Sequence, residues 1–135
     1  MFFGKKKEVN HQAKVVFFEG LQGFNQNHRC DLIKEGDTLI IKQMKPEVQA
    51  TMSLSQIQTI DILSENDFLT RYKHTNIAPP KDVSSFSKFY LVINFTGSDG
   101  HAKMVAFWMT YMECRKIYKF VELLNANKPV KNYSL

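Results

Sequence analysis

Short segments in which apolar and polar residues alternate run through most of the chain. A period of two is the pattern of strands that bury one face and expose the other. The segment 48–54 alternates most regularly, with Val48, Ala50, Met52 and Leu54 on one side and polar residues on the other. The same reasoning predicts strands over 14–18, 29–33, 39–44, 48–54, 57–62, 88–95 and 103–108.

The strand predicted over 88–95 differs from the others because both of its sides are apolar. Leu91 and Ile93 lie on one side, whereas Tyr90 and Val92 lie on the other. A strand buried on both faces has this near-continuous apolar character. We therefore expect something to cover the outer face of the sheet at this strand.

The spacing of apolar residues changes from every second residue to a period of about 3.6 residues at Thr110. Thr110 and Glu113 have the spacing of a capping box, in which each side chain satisfies a free amide of the first helical turn. An apolar stripe at helical spacing follows, formed by Cys114, Ile117, Phe120, Val121 and Leu124. This pattern predicts a C-terminal amphipathic helix that plugs one end of the sheet.

Residues 64–87 have the least regular pattern and contain Pro79 and Pro80. We interpret them as an insertion or long loop, in which Phe68 and Tyr72 indicate one short strand or helical turn packed against the body. The resulting organisation is a single domain over residues 13–128. Residues 1–12 and 129–135 are expected to be flexible ends.

Seven short antiparallel strands followed by one amphipathic helix is the order of a pleckstrin-homology-like barrel. The segments 16–21 (VFFEGL), 39–41 (LII), 90–93 (YLVI) and 104–107 (MVAF) resemble bacterial pleckstrin-homology-like and GRAM-type domains. The resemblance covers residues 13–127 and implies a binding scaffold for lipids, peptides or proteins. Phosphoinositide-binding members carry a basic loop after the first strand, but residues 19–27 contain no Lys or Arg. Recognition of a lipid headgroup is therefore not expected from the resemblance.

Composition narrows the class of protein further. The chain has 135 residues, 44% of them hydrophobic, which is enough for one core and argues against disorder. No apolar run reaches the length of about 18 residues that a membrane span needs. Two cysteines are too few for a disulfide framework, and no secretory signal pattern is present. We expect a cytoplasmic protein.

Motifs that carry catalytic chemistry are missing from the sequence. We find no nucleophile elbow, no zincin helix and no phosphate-binding loop. His28 and Cys30 share a strand face, but a structural zinc site needs four ligands, so Cys30 and Cys114 are better interpreted as core residues. We therefore expect no enzyme activity, cofactor, metal or small-molecule substrate.

The first functional hypothesis is a protein-interaction module. A partner, either another protein or a second copy of the chain, would add a strand to an open sheet edge beside the C-terminal helix. The residues predicted to form this site are Ile60, Ile62, Tyr111, Arg115 and Tyr118.

The second hypothesis is a weak binder of anionic surfaces, either lipid or nucleic acid. The net charge of +5 is compatible with such a role. The residues that would carry it are Lys5, Lys6, Lys7, Arg71, Lys73, Lys81 and Lys88. Binding of single strands on the sheet itself is not expected, because the predicted outward side chains are Gln, Thr and Ser and the aromatic residues belong to the core.

Overall fold

The computed structural model describes residues 11–73 and 87–126, which form seven antiparallel strands in one sheet together with two α-helices. The predicted fold class, mainly β with a C-terminal helix, is confirmed. Single 3-10 turns lie at Leu54–Gln56 and Tyr111–Glu113. The elements are β1 (Gln12–Glu19), β2 (Arg29–Glu35), β3 (Thr38–Met44), β4 (Glu47–Ser53), β5 (Ile57–Ser64), α1 (Glu65–Lys73), β6 (Lys88–Thr96), β7 (Ala102–Thr110) and α2 (Cys114–Ala126).

The strands are ordered β4-β3-β2-β1-β7-β6-β5 in the sheet. One cluster of buried side chains includes residues from the inner faces of all seven strands, among them Leu32, Ile41 and Phe107. The sheet is therefore folded over on itself, consistent with a pleckstrin-homology-like barrel. The seven described strands do not close into a ring, because β4 and β5 are the two edges of the sheet.

A glycine makes the turn out of β1 possible. The pairing of β1 with β7 shifts register between Phe17 and Glu19, and Gly20 follows with a φ of +115°. A Cβ atom at this position would clash with the carbonyl oxygen of Met104. Any larger residue would have to push β7 away, so the close contact of the two strands here requires glycine.

The C-terminal helix begins with the predicted capping box. The backbone N–H of Thr110 donates to Glu113 Oε1 at 2.9 Å, and the first turn is a 3-10 turn before the α-helix proper. Three residues of the apolar stripe, Ile117, Phe120 and Leu124, are almost fully buried in the main core. Val121 is only half-buried and lies at the margin of the stripe.

The helical turn indicated by Phe68 and Tyr72 within residues 64–87 is confirmed, and it extends over the nine residues of α1. Phe68 is fully buried, and its ring stacks on Tyr90 with the ring centres 4.1 Å apart. This contact covers the outer face of β6, as the apolar character of both sides of that strand predicted. Residues 74–86 lie outside the described part of the chain.

The predicted domain limits can be compared with the structure at the start of β1. The first strand begins at Gln12, inside the segment expected to be flexible, while residues 1–10 and 127–135 lie outside the described residues. Of the two described helices, neither is long and apolar enough to cross a membrane.

Candidate functional site

The predicted partner site begins with β5, which is an edge strand of the sheet. β5 pairs with β6, and no described strand pairs with its other side. Ile60 and Ile62 point to the inner face, where they are half-buried and pack against the main core. Thr59 and Asp61 alternate with them, and Thr59 Oγ1 accepts a hydrogen bond from Asn94 on β6. The pairing of β5 with β6 shifts register between Ile57 and Thr59, which is a bulge in the edge strand.

The second part of the site is the exposed flank of α2 and of the 3-10 turn that precedes it. Tyr111 and Tyr118 are 52% and 53% exposed, and Arg115 lies between them on the same side. The buried stripe of α2 lies next to this flank. An exposed tyrosine beside a core stripe presents an apolar ring with a polar tip, which suits a partly wet interface.

Phe89 links the two parts, and the sequence did not single it out. It pairs with Ser64 at the end of β5, and its ring centre lies 5.6 Å from that of Tyr111. Phe89 is only half-buried, although the pattern of β6 assigned it to the core. Phe89 is the first inward-facing residue of β6, at the end of the sheet. That position is the one sequence signal that could have identified it as a surface residue.

We call these two parts, joined by the contact of Phe89 with Tyr111, the β5–α2 strip: Ile60, Ile62, Phe89, Tyr111, Arg115 and Tyr118. In this strip, β5 has no strand partner on its second side among the described residues. Half-buried apolar side chains and the exposed cation of Arg115 lie along it. Such a surface can bind an extended chain through its backbone and through alternate side chains.

Within residues 11–73 and 87–126, the basic side chains of the second hypothesis do not form one free cluster. Lys73 Nζ lies 2.6 Å from Glu19 Oε2 and 5.8 Å from the ring centre of Phe18, so a carboxylate compensates its charge. Lys88 Nζ lies 4.5 Å from the ring centre of Trp108. Arg71 is exposed on α1. The remaining residues of this hypothesis, Lys5, Lys6, Lys7 and Lys81, lie outside the described residues.

Both cysteines are buried free thiols, as the sequence predicted. Burial, with a smaller contribution from the neighbouring charge of Asp31, raises the pKa of Cys30 to about 11. Burial and the charge of Glu113 raise the pKa of Cys114. Since the thiolate is the reactive form, neither thiol is primed as a nucleophile. Residues 11–73 and 87–126 contain no group of three or more His, Cys, Asp or Glu side chains that could hold a metal ion.

The outer face of β1, β2 and β3 differs from the neutral face that the sequence predicted. In the strand register Lys14 lies opposite Asp31, and Asp31 lies opposite Lys42, so three charged side chains form a row across the strands. On β4 the outward residues Gln49 and Thr51 are neutral as expected, and Glu47 at the start of the strand is charged. The prediction was wrong for β1–β3 because only strand register decides which charges become neighbours.

A scan against protein-family models and a search of curated proteins each found no match to this chain. The fold and the β5–α2 strip are therefore the basis on which a function can be inferred.

Proposed function

We propose that this chain is a non-catalytic binding module that holds an extended segment of another protein, or of a second copy of itself, along the β5–α2 strip. The observation that carries this proposal is the position of β5. It is an edge strand with half-buried Ile60 and Ile62, and it ends at Ser64, opposite Phe89, whose ring contacts exposed Tyr111 before α2. We further propose a pleckstrin-homology-like barrel as the scaffold.

Recognition would use the backbone first and the side chains second. An incoming strand can satisfy the N–H and C=O groups on the open side of β5, which supplies affinity without sequence preference. Its alternate side chains then face Ile60 and Ile62, which prefer apolar partners. Arg115 adds a cation that can bind a carboxylate of the partner through two parallel hydrogen bonds.

The edge of β5 is weakly protected against such pairing. Asp61 is its one charged residue, whereas natural sheets commonly block an edge with several charges or a proline. The described part of the 64–87 segment does not cover the edge, because α1 packs on the outer face through Phe68. The other sheet edge, β4, also has half-buried Val48 and Ala50 and therefore serves as the comparison for β5.

The proposal is tested by selection from a random peptide library displayed on phage. We expect the parent protein to enrich peptides with apolar residues at alternate positions and an acidic residue at one end. Ile62→Lys should abolish the enrichment, because it places a charge on the inner margin of the edge strand. The matched control is Val48→Lys, which makes the same change at a half-buried position of the opposite edge.

Self-association is the second readout of the same surface. If the partner is a second copy, sedimentation velocity should show a concentration-dependent dimer that Ile62→Lys removes and Val48→Lys does not. Equal loss of peptide binding or dimer in both variants, with both still folded, would show that the β5–α2 strip is not the binding surface.

Anion binding through the residues of the second hypothesis receives less support, because Glu19 compensates Lys73 and Lys88 lies on the ring of Trp108. We also propose a cytoplasmic location. Two buried free thiols are the usual state of cysteine in a reducing compartment.

A further inference from the structure

A basic surface at β1, β2 and β3 is not used by the proposed function. Two shallow clefts of about 310 and 290 Å³ lie side by side at β1 and β2, and both are lined by Lys14 and Arg29. The first extends to Lys116 at the start of α2, and the second extends to Lys42 and Lys45 at the end of β3. We call this continuous surface the basic track.

The track is net positive even after its ion pairs are counted. Lys14 Nζ lies 3.3 Å from Asp31, and Arg29 Nη1 lies 3.6 Å from Glu113. These two acids leave three of the five cations of the track without an ion-pair partner among the described residues. Lys14 and Arg29 are themselves about two-thirds exposed, so their charges also face solvent.

An aromatic side chain lies at the side of the track. Trp108 is half-buried on the outer face and pairs with Val16, which in turn pairs with Arg29. Its indole N–H donates to Asn27 Oδ1 at 3.1 Å, and Lys88 lies over its ring. The ring is therefore held in a fixed orientation next to the cations.

We propose that the basic track binds single-stranded nucleic acid, with phosphates along the cations and one base against Trp108. A row of cations with an adjoining aromatic ring is the arrangement that single-strand binders use. The open shape of both clefts suits a polymer that crosses the surface rather than an enclosed small molecule. The track shares no residue with the β5–α2 strip.

An acidic peptide fits this surface less well. Each of β1, β2 and β3 is paired on both sides, so their backbone groups are used within the sheet. A peptide lying on this face would leave its own backbone without strand partners and would gain only side-chain ion pairs. A nucleic acid needs no backbone pairing and presents regularly spaced charges.

The test is fluorescence anisotropy with a labelled 20-nucleotide oligo-uridine RNA and the full chain. Each phosphate contact contributes about 0.7 to the slope of log affinity against log salt, so five contacts predict a loss of roughly 100-fold between 50 and 200 mM salt. The triple variant K14Q/K42Q/K45Q should lower this slope by about 2. Binding should also quench the fluorescence of Trp108, the single tryptophan of the chain.

The matched control is R71Q/K103Q/K119Q, which removes the same charge from exposed positions outside the track. It should leave affinity within about twofold of the parent at 50 mM salt, apart from the small change expected from net charge. Equal weakening by both triple variants would overturn the proposal, since binding would then follow total charge rather than the track.

Two further outcomes would also overturn it. One is equal competition by poly-glutamate without any effect on Trp108 fluorescence, which would identify an acidic protein as the partner. The other is binding to phosphatidylserine vesicles with no binding to the RNA. If the triple variant does not fold, the pair K42Q/K45Q, which touches neither Asp31 nor α2 through an ion pair, is expected to lower the slope by about 1.4.

Discussion

Replacing Phe68 by alanine tests how α1 is held on the sheet. Phe68 is the buried residue of α1, and its ring contacts Tyr90, Phe18 and Tyr72 at centre distances of 4.1, 5.7 and 5.5 Å. A helix of nine residues is shorter than the roughly 12 to 15 residues at which isolated helices become marginally stable in water. The helical state of α1 therefore depends on this side chain.

The magnitude follows from the burial and from the position of the helix. Truncating a buried phenylalanine to alanine costs about 3 to 5 kcal/mol. We expect the lower end, about 3 kcal/mol, because α1 can leave the outer face without opening the main core. At about 4 °C per kcal/mol for a domain of this size, the midpoint of thermal unfolding should fall by roughly 10 °C.

The assay is urea unfolding followed by circular dichroism and by the fluorescence of Trp108, which packs against the same cluster. Phe68→Leu keeps most of the apolar volume and should cost about 1 kcal/mol. Arg71→Ala, at an exposed position of the same helix, should stay within about 0.5 kcal/mol of the parent. If Phe68→Ala is as stable as Arg71→Ala, α1 does not depend on this contact and the reasoning is refuted.

Three further predictions concern the barrel itself. Gly20→Ala should destabilise the fold by about 3 kcal/mol or more, because its Cβ would meet the carbonyl oxygen of Met104 and its φ is positive. The measurement is urea unfolding, and an unchanged midpoint would contradict the close contact of β1 and β7. Because burial raises the pKa of Cys30 to about 11, folding favours the protonated thiol, so stability should be constant below pH 9 and fall between pH 9 and 11. At pH 10 the loss of unfolding free energy from this thiol is about 1 kcal/mol. In Cys30→Val, urea unfolding measured against pH should lack this loss. If the variant and the parent lose the same stability at alkaline pH, the prediction is refuted. Glu113→Ala removes the acceptor for the Thr110 N–H and should cost about 1 kcal/mol, with faster amide exchange at the start of α2 and unchanged exchange in β3.

Local patterns were enough to predict most elements of the barrel. A period of two depends only on successive side chains pointing to opposite faces, and the capping box depends on residues three apart. Both are determined by neighbours in the sequence, so the predicted strands and the Thr110–Glu113 cap are confirmed. The location of Tyr111 and Tyr118 beside the buried stripe of α2 follows from the same helical spacing.

The tertiary structure decided the features that join distant parts of the chain. The sequence of α1 is mostly polar. Its Phe68 is buried because the ring packs on that of Tyr90, 22 positions later in the chain. Phe89 becomes part of the β5–α2 strip because β6 pairs with β5.

The charges show the same division. The sequence shows Lys14, Arg29 and Lys42 as scattered basic residues, and it predicted a neutral outer face. Strand register, which forms only when the whole sheet pairs, brings them into one basic track. The sequence by itself therefore determined the strands, the cap and the apolar stripe, because these depend on local spacing. Pairing between distant strands alone decided which surfaces the molecule presents.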